Sequence, residues 1–451
     1  MMLAALPLPL GLLLAAAGGL LAGAFVNWAA YALAWNQRPV SPWSAAHPSA
    51  PARRASDRVP FWGWFGLRRE SAVHGRGFWI RPLAVELVMA AGWAALYWWE
   101  VDQQGLVARQ FESFLQNANL SAPTWTTVAT FASHALLVTL MAAASLIDID
   151  EKTIPDGITT PGTLLALVLA TVCPMSLLPH VALRQAAPVA GVEILPAAPG
   201  PQADPVALYV EPLSLTAPNA WPAALGGSPN WLSLAIGLTC FAIWIFALTH
   251  RIWRKRRGLA YGLRILFARV ARDLARPPLS WIAIVGLLAI TGVWFRGGAA
   301  WLGLLTALVG VIGGGAMVWA VRIVGSWALH KEAMGFGDVT LMMMIGAFLG
   351  WQPGVFIFFI APFAGLLVGI VQMMLRRDDV IPYGPFLCLG ALAVMVRWAD
   401  FWNADPRALQ AFFDFPWLVP GILAVGVVML GAMLVLWRNL KEVLFGVPVE
   451  D

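Results

Sequence analysis

Two groups of carboxylates stand at the ends of long apolar segments, and they are the residues of this chain best suited to chemistry. The first group lies in LIDID at 146–150 and continues into IPD at 154–156, and the second is MGFGD at 334–338. Two carboxyl groups held close together share a proton, so that one activates a water molecule while the other donates to a carbonyl oxygen. If the fold brings Asp148 and Asp338 together, the pair is suited to acid–base hydrolysis of a peptide bond.

Four further residues of these groups predict supporting roles. Gly335 and Gly337 precede Asp338 and leave room for the backbone to approach an extended substrate. Pro155 turns the chain, because it lacks an N–H and disfavours helix at the residue before it. Asp156 is placed to cap the next helix. A lone acidic residue at the end of an apolar segment is usually a solvated cap, and we assign Asp150, Glu151 and Lys152 to that class.

The helix ends also distinguish the two aspartates. Asp338 is predicted near the N-terminus of its helix, where the helix dipole favours the anion, and Asp148 at the C-terminus of its helix, where the dipole disfavours it. We therefore expect Asp148 to hold the shared proton at rest, although the titration belongs to the pair.

The composition predicts the environment of these carboxylates. Of 451 residues, 60% are hydrophobic and only 12% are charged, and the mean hydropathy is +0.73, whereas about a quarter of the residues of a soluble domain are charged. The chain is therefore expected to be an all-α, polytopic transmembrane bundle. The net charge of +5 comes from arginine clusters that report membrane topology, so no nucleic-acid partner is expected. The three cysteines form no Cys-x-x-Cys pair, so no metal site is expected.

Apolar runs predict eleven spans. They cover about 8–35, 82–99, 126–147, 158–179, 231–250, 279–295, 300–321, 339–351, 354–375, 384–399 and 416–437. The first run contains Gly19-x-x-x-Gly23, a close-packing face. The arginine and lysine bias of the connecting loops places the N-terminus outside and the C-terminus inside. Span count and charge bias both place Asp148 and Asp338 on the cytoplasmic side.

The same patterns divide the chain into six parts. They are the first span (1–35), a cytoplasmic basic loop (36–81), a core with the first aspartate motif (82–180), an insertion (181–298), a core with the second motif (299–399) and a further C-terminal span and tail (400–451). The insertion contains a loosely structured, external Pro/Ala-rich loop, two spans and a basic cytoplasmic segment. That basic segment is interpreted first as a stop-transfer signal and alternatively as an interfacial helix on anionic lipid.

Outside the two motifs, three features have ordinary explanations. His134 is expected to be a neutral packed histidine hydrogen-bonded to a neighbouring helix. Glu86 is expected to pair with an arginine such as Arg81. Met342-Met343-Met344 is expected to serve apolar packing.

Five landmarks resemble the prepilin peptidases, or type IV leader peptidases. The run 147–156 is similar to their first catalytic motif. Residues 335–338, followed by 346–351, are similar to their Gly-x-Gly-Asp motif, and residues 381–386 are similar to the Pro-aromatic-Gly-Pro start of their last common span. Their opening span is matched by Gly23, Phe25, Asn27 and Tyr31, and the start of their second span is matched by residues 81–87. The resemblance covers most of 20–180 and 325–400.

The resemblance implies a membrane aspartic peptidase of the bacterial inner membrane, with Asp148 and Asp338 as the catalytic pair. It implies cleavage of type IV prepilins or type II secretion pseudopilins at the cytoplasmic face, and in many members N-methylation of the new terminus from S-adenosylmethionine. Loop 36–81 lacks the two Cys-x-x-Cys pairs of many members, which leaves methylation open, and Thr340 stands where the second motif commonly has lysine.

Two alternatives remain open beside the peptidase. One is a catalytically inactive relative that acts as a membrane assembly partner, and the other is a proton-coupled transporter, which should show paired, interrupted helices in corresponding halves. Membrane lipid is an expected partner in every case. The choice of prepilin, the role of the insertion and the oligomeric state are not fixed by these residues.

Overall fold

The computed structural model describes residues 7–107, 124–185, 206–219, 222, 225, 229–249, 259–330, 332–374, 382–403, 408–415 and 417–445. Residues 251–257 and the Arg376-Arg377 pair, which the topology prediction used, lie outside these residues. Twelve long helices stand in the described part: α1 Leu8–Ala32, α2 Ile80–Tyr97, α3 Thr124–Glu151, α4 Asp156–Val172, α5 Trp231–Ala247, α6 Leu259–Leu274, α7 Leu279–Arg296, α8 Gly298–Leu329, α9 Phe336–Leu349, α10 Trp351–Met374, α11 Gly384–Val396 and α12 Leu418–Phe445.

The apolar helices confirm the predicted all-α, polytopic bundle. In the described residues, seven helices are long and apolar enough to cross a membrane, and four shorter apolar helices (α4, α5, α9 and α11) accompany them. Each of these helices lies in one of the predicted apolar runs. The largest differences are at helix ends: α8 continues to Leu329 and α12 to Phe445, beyond the predicted ends at 321 and 437, and α4 ends at Val172, before the predicted 179. The orientation in the membrane stays a prediction.

The segment after the fourth span was predicted to be loosely structured, and this was wrong for the two stretches that form strands. Strands β1 Pro179–Gln185 and β2 Val206–Pro212 form an antiparallel pair in which Val181 faces Val210. Asn403 accepts the N–H of Val181 at 3.1 Å, and the indole N–H of Trp398 donates to the carbonyl of Pro179 at 2.7 Å. These long-range hydrogen bonds satisfy the strand backbone, because a buried backbone group without a partner is costly.

Helix α6 separates the two apolar helices of the insertion. It carries an apolar stripe at Leu266, Val270 and Leu274, with Arg264, Arg269 and Arg272 on the other side. A separate amphipathic helix of this kind is typical of the membrane interface. The structure therefore favours the interfacial interpretation of the basic segment over a plain stop-transfer signal.

Glycine contacts set how closely the helices approach. A Cβ atom built on Gly23 would lie 2.6 Å from the Cα atom of Glu86, and one on Gly19 would lie 2.5 Å from the carbonyl oxygen of Met89. The predicted close-packing face of α1 is thus confirmed, with α2 as its partner. On α8, a Cβ atom at Gly314 would lie 2.6 Å from the carbonyl oxygen of Met342. Residues Asp338–Leu349 of α9 are all buried, so the methionine run serves packing as expected.

Loop 36–81 is a folded unit with buried ion pairs. The Arg53 guanidinium donates to both carboxylate oxygens of Glu70 at 2.9 Å, and the Glu70 side chain is fully buried. Arg53 also donates to the carbonyls of Pro39, Ser41 and Ser44 at 2.6–2.9 Å. A planar guanidinium suits such a junction because it presents five donors in a fixed arrangement.

Glu86 attaches this loop to α2, and the expected pairing with Arg81 was wrong. The buried Glu86 carboxylate accepts the backbone N–H of Phe61 at 2.5 Å and the indole N–H of Trp64 at 2.8 Å. Arg81 instead donates to both oxygens of Asp150 at 2.8–2.9 Å. The nearest arginine in sequence is therefore directed to α3, because the start of α2 lies beside the end of α3.

Candidate active site

Asp148 lies in the last turn of α3, which confirms its predicted place at a helix C-terminus. Only 5% of the residue is exposed. Lys152 closes the helix in a left-handed conformation (φ 55°), and its N–H donates to the carbonyl of Asp148 at 2.8 Å. The carboxylate oxygen Oδ2 of Asp148 accepts the backbone N–H of Gly384 at 3.1 Å. The side chain is thus held toward the start of α11.

Asp338 is the third residue of α9, which confirms its predicted place at a helix N-terminus. Gly335 precedes the helix in an extended conformation, and 7% of Asp338 is exposed. No other described residue forms a hydrogen bond with the Asp338 carboxylate. The side chain therefore keeps its acceptor sites for a proton, a water molecule or a substrate.

Ile154 lies between the two glycines that stand next to the carboxylates. A Cβ atom on Gly337 would lie 2.9 Å from Cβ of Ile154 and 3.2 Å from its nitrogen. A Cβ atom on Gly384 would lie 2.6 Å from Oδ2 of Asp148 and 2.8 Å from Cδ1 of Ile154. The first turns of α9 and α11 therefore converge on the short connection between α3 and α4.

The two aspartates form one site. Gly337 beside Asp338 and Gly384 beside Asp148 both pack against Ile154, so the two aspartates lie at the same end of the bundle. This confirms the expectation that the topology places them on the same face despite the insertion. Because both carboxyl groups are nearly buried, two adjacent anions are unfavourable, and the pair is suited to holding one proton between them.

The supporting residues of the first motif differ in part from the prediction. Pro155 occupies the capping position of α4 in an extended conformation, and Asp156 is the first helical residue, with no side-chain cap bond formed at Pro155. The predicted N-cap role of Asp156 was therefore wrong by one position, because the extended geometry set by proline already starts the helix. Asp156 still places a negative charge at the favourable end of α4.

Two acidic residues that sequence reasoning assigned to solvated caps hold helices together instead. Asp150 binds Arg81 at the start of α2. Glu151 accepts the backbone N–H groups of Trp35 and Asn36 at 2.6 and 2.8 Å. The end of α3 that carries Asp148 is thus fixed to the ends of α1 and α2.

Two residues at the site were missed as functional candidates. Gly384 and Ile154 determine the approach of the two carboxylates, and the signal for Gly384 was its place in the Pro-aromatic-Gly-Pro run. Thr340 is 3% exposed, and its hydroxyl donates to the carbonyl of Gly337 at 3.0 Å. A threonine at this position therefore stabilises the first turn of α9 from within.

His134 is far from the site. It lies 14 residues before Asp148 on α3, which corresponds to about 21 Å along a helix. Its Nδ1 atom is 2.6 Å from Oε1 of Glu100, which continues α2, and both side chains are buried. The expected hydrogen bond to a neighbouring helix is confirmed.

Comparisons with known proteins find similarity over part of the chain. The sequence model of the type IV leader peptidase family matches residues 260–370, which include Asp338. The chain is 32% identical over 108 residues to a prepilin leader peptidase/N-methyltransferase of Pectobacterium carotovorum, covering 23% of this chain and 39% of the relative. It is 33% identical over 118 residues to the Escherichia coli K12 protein of the same name, covering 26% and 48%.

A third relative extends the similarity. The Legionella pneumophila prepilin leader peptidase/N-methyltransferase is 29% identical over 172 residues, 37% of this chain and 58% of that protein. The matched region thus spans about two fifths to three fifths of these three relatives. No solved structure matches the chain.

Proposed function

We propose that this chain is an integral-membrane aspartic endopeptidase of the type IV leader peptidase family, whose sequence model matches residues 260–370. Its substrates are type IV prepilins or type II secretion pseudopilins, and it removes their leader peptides. The observation that carries the proposal is that Gly337, next to Asp338, and Gly384, which binds Asp148, both pack against Ile154. The apolar helices support a multi-pass membrane protein, and the basic loops favour the cytoplasmic face of the bacterial inner membrane as the site of cleavage.

The dyad supplies the chemistry of an acid and a base. The ionised carboxylate takes a proton from a water molecule, whose oxygen attacks the scissile carbonyl carbon, while the protonated partner donates to the carbonyl oxygen. Transfer of a proton to the departing nitrogen then breaks the C–N bond. No nucleophilic side chain is needed in this sequence of steps.

The helix ends support Asp148 as the holder of the shared proton. Asp338 lies in the first turn of α9, where the dipole favours an anion, and Asp148 lies in the last turn of α3, where it does not. This assignment stays a prediction. Site-selective infrared spectroscopy is expected to detect a protonated Asp148 in the resting protein, and detection of a protonated Asp338 instead would reverse the roles.

Cleavage tests the proposal directly. A type IV prepilin and a type II pseudopilin are each co-expressed with wild type, Asp148→Asn or Asp338→Asn, and we expect both variants to leave the precursor uncut. Asp400→Asn is the matched control, because Asp400 forms an exposed ion pair with Arg397, and it should cleave as wild type does. Wild-type cleavage by both dyad variants would leave the inactive assembly partner or the transporter as the explanation.

N-methylation from S-adenosylmethionine is a separate prediction. The cavity beside loop 36–81 is lined by Arg38, Arg81, His47 and His74, whereas the cofactor carries a positive sulfonium and a positive ammonium group. That lining does not fit the cofactor, so no step is assigned to it there. Transfer of labelled methyl groups to the mature N-terminus would establish the second activity.

A further inference from the structure

A cavity of about 470 Å³ lies between the folded loop and the ends of α1 and α2. Its polar lining consists of the guanidinium groups of Arg38 and Arg81, the imidazoles of His47 and His74 and the phenol of Tyr31. No carboxylate is among its lining residues. A pocket with this lining attracts an anion.

Arg38 is the uncommitted cation of the cavity. Its guanidinium forms no hydrogen bond or ion pair with any described residue, whereas Arg81 is engaged with Asp150. The Tyr31 hydroxyl interacts electrostatically with Arg38, Arg81 and Asp150, so these groups share one small region. An anion in the cavity can thus bind the Arg38 guanidinium, and it lies near the Arg81 guanidinium, whose charge Asp150 already partly neutralises.

The histidines close the cavity on the loop side. The His74 side chain is only 9% exposed, and its Nε2 atom lies 3.3 Å from Oε2 of Glu70. That carboxylate is also bound by Arg53. The ring of His47 packs edge-on against that of His74, with 6.5 Å between their centroids. The wall is therefore ordered by neighbouring residues before any ligand arrives.

The position of the cavity indicates the kind of anion. It adjoins the residues where α1 ends and α2 begins, which is where these helices leave the apolar core. Trp35, Trp43 and Trp62 near these helix ends are 89%, 55% and 69% exposed. Exposed tryptophans at the ends of spans mark the level of lipid head groups, and phosphate is the anion at that level.

We propose that this cavity binds a phosphate group, carried by a lipid head group or by a soluble phosphate. The guanidinium of Arg38 supplies paired donors of the kind that bind phosphate in a bidentate manner. Arg81, His47 and Tyr31 complete the site, and the bound group lies beside the Arg81–Asp150 pair that fixes the end of α3. This binding is independent of the proposed peptidase activity.

Ligand binding to the full purified chain in detergent tests the proposal. One arm titrates short-chain phosphatidylglycerol, a second titrates inorganic phosphate, and a phosphate-free diacylglycerol serves as the blank. Native mass spectrometry gives the number of molecules bound, and calorimetry gives the Kd. Arg38→Gln is compared with Arg58→Gln, which removes the same charge from an exposed site on the same loop outside the cavity.

We expect one phosphate-bearing molecule per chain, with binding weakened about tenfold by Arg38→Gln, the equivalent of about one charge-assisted hydrogen bond. Arg58→Gln should bind as wild type does. Tighter binding of phosphatidylglycerol would identify a lipid head group as the source of the phosphate. Tighter binding of inorganic phosphate would identify a soluble phosphate as the ligand. Absence of saturable binding in both arms, or equal weakening by the two variants, would overturn the proposal.

Discussion

Gly335 and Gly337 belong to the same motif, yet a methyl group would meet different surroundings at the two positions. At Gly337 it would lie 2.9 Å from Cβ of Ile154 and 3.2 Å from its nitrogen. At Gly335 the nearest atom would be Oδ2 of Asp338, at the ordinary contact distance of 3.7 Å. Gly335→Ala should therefore be tolerated by the fold, whereas Gly337→Ala must separate α9 from the connection after α3.

The size of this effect follows from the contact. Carbon atoms pack at about 3.5–4.0 Å, so Gly337→Ala forces a separation of about 0.6–1.1 Å between α9 and Ile154. Overpacking of this kind costs about 1–3 kcal/mol of stability. Because Asp338 is the next residue, it moves with the turn, and a misplacement of about 1 Å costs about 100-fold in rate.

The assay compares both variants in the same detergent. Cleavage of a purified prepilin gives kcat and KM, and thermal unfolding gives the Tm. We expect Gly337→Ala to lower kcat by about 10- to 100-fold and to lower the Tm, while Gly335→Ala changes stability by no more than about 0.5 kcal/mol. A higher KM with unchanged kcat in Gly335→Ala would place the substrate along that glycine. Equal losses of kcat in the two variants would refute the reasoning.

Three further changes test other parts of the structure. Gly384→Ala should lower cleavage about 10- to 100-fold, because its Cβ atom would lie 2.6 Å from Oδ2 of Asp148. Gly390→Ala on the same helix is the control, because its Cβ atom would meet no atom closer than 3.3 Å, and it should stay active. Burial favours the neutral acid at Glu70, but the hydrogen bonds and charge of Arg53 hold its pKa below the usual 4.5. The loop should therefore keep this stabilisation above pH 4.5 and lose it as the pH falls further, which hydrogen exchange of residues 36–81 will show as faster exchange. Glu70→Gln should reproduce that loss at neutral pH. His134→Ala leaves a buried glutamate without its partner and should cost about 1–3 kcal/mol of stability, seen as a lower Tm with kcat unchanged.

The apolar runs predict most of the fold because a bilayer requires continuous apolar helices. Each run of that kind contains a helix in the described part of the chain, although the helix ends differ from the predicted ends by up to eight residues. The placement of Asp148 and Asp338 at the same end of the bundle was also predictable, because an even number of inserted spans returns the chain to the same side. The close packing of Gly19 and Gly23 followed from their spacing, although the partner helix did not.

Contacts between distant residues were beyond prediction. The N–H of Gly384 donates to a carboxylate 236 positions away in the chain, and no local pattern encodes that partner. The Arg53–Glu70 pair lies in a loop whose composition indicated only a basic, polar segment. The strand pair after α4 depends on Asn403 and Trp398 for its backbone partners. In each case hydrogen-bond satisfaction in the folded protein decides the structure.

The route of the chain explains why a long insertion leaves the dyad intact. Asp148 leads through Ile154 directly into α4, and α4 packs against both α8 and α9, the helix that carries Asp338. Helices α5 and α7 of the insertion pack against each other and reach the core through α8. The contact between α4 and α9 is close: a Cβ atom on Gly162 of α4 would lie 3.0 Å from Cγ of Met344 on α9. The geometry of the dyad is therefore set by α3, α4, α9 and α11, and helices α5 and α7 of the insertion act on it through α8.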